Sequence, residues 1–332
     1  MTHSPAMWRP ALPSIAKLLA RHGLSDCRAR LVAELDCAVW RIATPAGADL
    51  SLRIYAPERQ DITAINTEIT WLSALADAGV HVPRPLPDLD GRYLMPWQAH
   101  AAAASQHAVL LSWLPGRMLY KSLRPVHLRR VGELVAQLHN SSQTLTHGSV
   151  KTHPGLAHTA DVSAWAQGHR QLPSGYPKGL QASVQRAAQH LQQHLNDWPH
   201  DAAHWGFIHG DLHLWNIVFH HGVAGAIDFT DCGWGFMALD LAGVLQFLKH
   251  PLTPADAHIR QNYAPLRGAL FEGYASQRPL PDSLRAQIEP LIAMRMMQTL
   301  QWIVDDWPAP DHRSWGPGFL ARLSSTLDEA FE

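Results

Sequence analysis

Three short strand-like runs stand near the start of the chain: Arg30 to Leu35, Val39 to Thr44 and Leu50 to Tyr55. The third alternates apolar and polar positions, and Pro45-Ala46-Gly47-Ala48 forms a turn before it. A helix is predicted ahead of them, from Ser14 to His22, stopped at Gly23. The period then lengthens. Ile65, Ile69, Leu72 and Ala76 line a helix that Thr63 would cap and that runs to Ala78, before Gly79. Val80 to Pro85 reads as extended chain and Asp90-Gly91 as a hairpin turn. An apolar strand follows from Ala108 and is broken at Pro115-Gly116.

From Leu123 the pattern is helical. Val126 to Asn140 carries Leu128, Val131, Leu134, Val135 and Leu138 on one face. Ser141 to Pro177 is polar and poor in pattern, as an insertion or a substrate-side flap would be. Gly179 to Leu195 is helical again. Two short apolar strands meet at a turn containing Gly222. The chain then offers an apolar helix from Leu239 to Leu248 and three more, Pro254 to Tyr274, Asp282 to Trp307 and Pro317 to Phe331. The pattern predicts an α+β chain: residues 1–114 form a small sheet-rich part with one main helix, and residues 115–332 a larger, mainly helical part.

The chemistry sits between the helices of the second part. An apolar run ends in His209-Gly210-Asp211, Asn216 stands five residues on, and Asp228 closes the second strand of the hairpin. The hairpin predicts Asn216 and Asp228 side by side, with Asp211 near both. A carboxylate on a rigid loop can aim a hydroxyl at a phosphoryl group and take its proton. Mg²⁺ is a hard ion that takes oxygen ligands, commonly one or two carboxylates with phosphate oxygens. Asp211 suits the base, and Asn216 and Asp228 suit the metal. The same stretch admits a second reading. His209, Asp211, His213, His220, His221 and Asp228 could form a transition-metal cluster of a hydrolase. With 22 His in the chain, however, a few near any motif carry little weight. His209 is read as bracing the loop.

Other features of the sequence narrow the class. The 332 residues are 46% hydrophobic and 17% charged, which suits a globular chain with ample core. A net charge of −1 offers nothing to nucleic acid. Cys27, Cys37 and Cys232 are odd in number and widely spaced, so a reducing cytoplasm is the default. No apolar run approaches a membrane span. The oligomeric state is left open.

The spacing Asp211, Asn216, Asp228 and the surrounding strands resemble the aminoglycoside phosphotransferase and choline kinase family of small-molecule kinases. The segments Ile227-Asp228-Phe229-Thr230-Asp231-Cys232-Gly233 and Gly273-Tyr274 with Arg278-Pro279-Leu280-Pro281 look most like its homoserine-type and stress-response branch. The resemblance implies a bilobal, protein-kinase-like fold, ATP and Mg²⁺, and a small-molecule alcohol as acceptor: an aminoglycoside, choline, homoserine or another amino alcohol. It further implies that Arg53 grips the nucleotide phosphates, braced by Glu68. Glu68 flanks an apolar stripe and needs such a partner if buried. Backbone groups of Ser112, Trp113 and Leu114 would meet the adenine edge, and Val218 and Ile227 would pack beneath it. Asp240 would anchor the catalytic loop, or be a helix-start charge. Asp231 would support the metal site or face substrate. Trp302, Asp305 and Asp306 hint at a cationic substrate, although a solvated turn explains them as well. The loop from Glu34 to Trp40 lacks the glycines that cover phosphates in protein kinases, which motivates a nucleotide-binding pseudokinase as an alternative. A protein Ser/Thr kinase is disfavoured because the segment after Asp231 is too short for a regulated activation loop.

Overall fold

In the N-terminal part, alternation and turn chemistry build an antiparallel meander. It runs through β1 (Arg28–Glu34), β2 (Cys37–Ala43) and β3 (Asp49–Tyr55). The structure is a computed structural model that describes residues 12–34, 37–55, 61–98, 106–119, 122–142, 157–251, 257–306 and 312–331. The chain divides into two compact units, Met1–Pro115 and Gly116–Glu332.

The first unit holds a six-stranded sheet. β6 (Gln106–Ser112) pairs with β3 on one side, and with β4 (Pro85–Leu86) and β5 (Leu94–Trp97) on the other. The expected hairpin at Asp90-Gly91 is therefore a turn of another kind. Gly91 does take φ +81, but the strands it joins lie end to end along β6 instead of pairing with each other. Helix α1 (Leu12–Ala20) contributes Ile15, Leu18 and Leu19 to a core that includes Leu52 and Ile54 of β3. The opposite face of β3 carries Arg53 and Tyr55, whose side chains both bond to Glu68 of α2 (Ile62–Asp77). β3 is thus buried on both faces. Asp61, and not Thr63, caps α2, accepting from the N–H of Thr63 at 2.9 Å and of Ala64 at 3.3 Å. A carboxylate competes well for this position and also suits the positive end of the helix dipole. Leu35 and Asp36, within the glycine-free loop, lie outside the described residues.

The second unit is largely helical. α3 (Pro125–Ser141) buries the face read from its sequence, and it packs on α8 (Tyr263–Ala275). The two backbones approach closely at a pair of glycines. A Cβ at Gly132 would stand 2.1 Å from the Leu270 carbonyl oxygen, and one at Gly273 1.9 Å from that of Arg129. Side chains there would force the helices apart.

Four readings need correction. The polar stretch after Ser141 contains a helix, α4 (Ala157–Ala166), packed on α5 (Leu180–Asp197) through buried Val162 and Trp165. Its apolar residues, mostly alanine, are spread around the helix and give no periodic signal, and residues 143–156 lie outside the described residues. The helix read from Pro254 to Tyr274 is two, α7 (Ala257–Gln261) and α8, broken at Asn262. The helix from Asp282 is likewise two, α9 (Asp282–Ala286) and α10 (Ile288–Asp306); Pro254 and Trp307 are not among the described residues. α11 (His312–Glu329) begins ahead of Pro317 and encloses it. Two small ribbons complete the unit. β7 (Trp205–Ile208) pairs with β10 (Gly233–Phe236), and β8 (Ile217–His220) with β9 (Val223–Ala226). α6 (Ala238–Lys249) follows β10.

Candidate active site

β7 delivers the chain into His209-Gly210-Asp211, and the fold grips this loop from beneath. Asp240, in the first turn of α6, is fully buried. It accepts from the N–H groups of His209 and Gly210, each at 2.9 Å, and stands 3.1 Å from Nε2 of His139 at the end of α3. On the far side of that ring, Nδ1 lies 2.9 Å from the hydroxyl of Tyr274. Burial pushes the Asp240 carboxyl up, yet the hydrogen bond and charge of His139, with His209 beyond, outweigh it and hold it below the usual range. Gly210 takes φ +81, and a Cβ there would lie 2.3 Å from the Asp231 carbonyl oxygen. A larger residue would meet both backbone strain and a backbone clash at that position.

The metal candidates are brought together by local hydrogen bonds. A 3-10 turn, Leu214–Asn216, follows the loop, and the Asn216 side chain donates through Nδ2 to the Asp211 carbonyl at 3.0 Å. The β8–β9 ribbon turns at His221 and Gly222, both at positive φ, as a tight hairpin requires. Its open end joins Ile227 N–H to the Asn216 carbonyl at 2.9 Å, so Asp228 emerges beside Asn216. His209 reaches across as well, with Nε2 3.0 Å from the Ile227 carbonyl. Asp228 sits at φ +63, a strained conformation for a non-glycine residue, and accepts from the Thr230 hydroxyl at 3.1 Å. With Nδ2 of Asn216 committed to backbone, its amide oxygen and the Asp228 carboxylate are hard donors of the kind Mg²⁺ takes. The transition-metal alternative fares worse. His209 is spent on Ile227, His220 and His221 meet edge-on at the hairpin turn, and no group of three His, Cys, Asp or Glu among the described residues could hold a metal ion.

Asp211 itself is partly open, and its side chain is 27% exposed. Arg295 Nη2 donates to its Oδ1, and His213 Nε2 lies 3.5 Å from its Oδ2. Burial raises the Asp211 carboxyl, but the Arg295 guanidinium, then His213, hold it below the usual range, so it is ionised at neutral pH. Burial is also the largest influence on His213 and lowers its ring against the pull of Asp211.

In the N-terminal unit, Arg53 and Glu68 are both buried, and Arg53 Nη1 donates to Glu68 Oε1 at 2.5 Å. The Tyr55 hydroxyl donates to the other Glu68 oxygen at 3.0 Å. At the end of β6 the Ser112 N–H donates to the Arg84 carbonyl at 2.8 Å, and the Trp113 N–H to that of Asp49 at 3.2 Å. The Trp113 ring lies under the Arg41 guanidinium, 4.9 Å from its centroid. Ser112 and Trp113 thus spend their donors within the sheet, which narrows the expected adenine contact to Leu114 and to carbonyl groups.

Residues 29–286 match the family described as the phosphotransferase enzyme family, APH. The chain belongs to that family. It is a small-molecule phosphotransferase acting on a hydroxyl group. The phosphotransferase is 30% identical over 271 residues to a homoserine kinase of Gluconacetobacter diazotrophicus, an overlap of 79% of this chain and 75% of the relative. Its fold is shared with the amicoumacin kinase hAmiN in complex with AMP-PNP, Ca²⁺ and Ami. There the TM-score is 0.76 at 18% identity, over 95% of this chain and 93% of the other. The microcompartment-associated aminopropanol kinase is similar too, with a TM-score of 0.75 at 22% identity over 96% and 95%. The fold is the protein-kinase-like α+β arrangement expected.

Not every residue read from the sequence joins this site. In the phosphotransferase, Asp305 pairs with Arg170 at 2.8 Å, and Arg170 also stacks over Trp165. Trp302 is 44% exposed, and the Asp306 side chain lies outside the described residues. Val218 is buried and Ile227 half-buried beside the metal candidates, while Asp231 stands against Gly210. Two residues were missed. His139 lies near the C-terminal end of α3, where a polar residue after an apolar face was its sign in the sequence. Arg295 is a lone cation between Met294 and Met296, within the stripe of α10. The test applied to Glu68, that a buried charge must have a partner, would have marked it.

Proposed function

We propose that the protein moves the γ-phosphate of ATP, with Mg²⁺, to the hydroxyl of a small amino alcohol or hydroxy amino acid. The observation that carries this reading is the loop of Asp211, held through its backbone by buried Asp240 and tied to Asn216 and Asp228 by the open end of one hairpin. Asp211 aims the acceptor hydroxyl and takes its proton as the oxygen attacks phosphorus. Asn216 and Asp228 would hold Mg²⁺, whose chemistry there is to offset phosphate charge. Arg53, braced by Glu68, is assigned to the phosphates, and Leu114, Val218 and Ile227 to the base. A homoserine kinase at 30% identity supports an acceptor of that size.

The test is ADP release from Mg-ATP with a panel of L-homoserine, 1-amino-2-propanol, choline, ethanolamine and kanamycin. Homoserine or aminopropanol should turn over fastest, and Asp211→Ala should cut transfer by about 1,000-fold or more while leaving nucleotide binding intact. Nucleotide binding without turnover of any alcohol would favour the pseudokinase. Loss of nucleotide binding in Asp211→Ala would mean that the base is misplaced.

A further inference from the structure

Three groups hold Asp211, and they do different things. Asp240 fixes the backbone before it, through His209 and Gly210. Asn216 fixes its carbonyl. Neither touches the carboxylate, whose rotation about the side-chain bonds these contacts leave open. Arg295 does touch it. From α10 its Nη2 donates to Asp211 Oδ1, while Nη1 lies 3.4 Å from the Gly210 carbonyl and 2.9 Å from Gln298 Oε1. Arg295 is 8% exposed and stands on the long helix α10. A planar fork can span the carboxylate and the loop backbone at once in a fixed geometry, which an ammonium on a flexible stem does not impose. On the other side, His213 is wedged between Trp215 and Phe247, with ring centroids 5.6 Å from each, and faces Oδ2. An ionised carboxylate has about four acceptor positions. Arg295 occupies Oδ1, and Oδ2 retains room for an incoming hydroxyl.

We propose that Arg295 is the positioning residue of this phosphotransferase: it sets the rotation of the Asp211 carboxylate so that Oδ2 meets the acceptor hydroxyl. This rests on Asp211 being the base. The role concerns orientation at the reacting atoms, so its loss falls on turnover and spares substrate binding. Near-attack geometry is demanding, and an error of about 1 Å costs on the order of 100-fold in rate.

The test is steady-state kinetics of full-length Arg295→Ala and Arg295→Lys, using Mg-ATP and whichever panel alcohol the wild type turns over fastest. Arg295→Ala should lose about 100-fold in kcat, with both KM values within about threefold of wild type. Arg295→Lys keeps the buried cation but offers no fork, and should fall between the two. Added guanidinium ion should raise the rate of Arg295→Ala and leave Asp211→Ala and wild type unchanged, a rescue that a merely structural role would not show. A kcat near wild type, a loss confined to KM, or the absence of rescue would overturn the proposal. Should Arg295→Ala fail to fold, Arg295→Lys carries the test, and wild-type turnover in that variant sinks the idea. A wild type that releases no ADP with any alcohol defeats the reading of Asp211 first, and this inference with it. An active wild type with an equally active Arg295→Ala defeats the inference alone.

Discussion

Among the described residues, each unit of the molecule holds an ion pair that includes a residue proposed for the site, and these two are built differently. Arg53 and Glu68 are 15 residues apart, both side chains are less than a tenth exposed, and Tyr55 closes the second carboxylate oxygen. Asp211 and Arg295 are 84 residues apart, and the carboxylate is about a quarter exposed. A carboxylate walled in on all sides is an anchor: its partners are fixed, and nothing from solution can use it. One that is gripped on a single oxygen and open on the other can receive a reactant. The difference in exposure separates a residue that shapes a strand–helix junction from one proposed to perform chemistry.

That contrast can be broken most sharply at the open pair, where the losses of turnover given above for Asp211 and Arg295 are the largest effects expected. At the walled pair the expected loss is of stability. Glu68→Ala leaves Arg53 buried without its carboxylate, and should cost about 3–5 kcal/mol of unfolding free energy. Urea unfolding reads the loss, and an unchanged midpoint would show that the pair is not an anchor. Asp240 tests the same idea in the second unit. Its carboxyl is held below its ordinary value, so its contribution is fully present above the unfolded pKa of about 4 and is lost as pH falls through the lower folded value. Asp240→Asn should therefore be less stable than wild type by about 2–3 kcal/mol at neutral pH, with the gap closing in acid. A gap that stays constant down to strongly acidic pH would contradict the assignment. The smallest effect is expected at Asp305, whose side chain is 57% exposed against Arg170. Asp305→Asn should change stability by less than about 1 kcal/mol and leave turnover of a cationic alcohol intact. A large rise in KM for that alcohol would restore the end of α10 to the substrate side.

Much of this molecule is legible in short stretches of chain. The β1–β3 meander, the stripe of α2, the buried face of α3 and the β8–β9 hairpin arise from local period and turn chemistry, and the spacing of Asp211, Asn216 and Asp228 follows from that hairpin. Even the partner of Glu68 could be found, because a carboxylate beside an apolar stripe needs a cation and the resemblance to kinases pointed to Arg53. What lay beyond reach depended on contacts between distant segments. β10 is a strand because β7 lies beside it, since Gly233-Trp234-Gly235-Phe236 has no periodic signal of its own. β4 and β5 share one side of β6, and no local pattern distinguishes that from a hairpin.

By itself the sequence determined which residue types were available for phosphoryl transfer, and in what order along the chain, because a period of two or of 3.6 and a turn residue act over a few positions. Tertiary structure alone decided which charge meets which: His139 with Asp240, Arg170 with Asp305, and Arg295 with Asp211. Charges far apart in the chain find each other only when packing brings their elements together, and at Asp240 and Arg295 burial then compels the pairing.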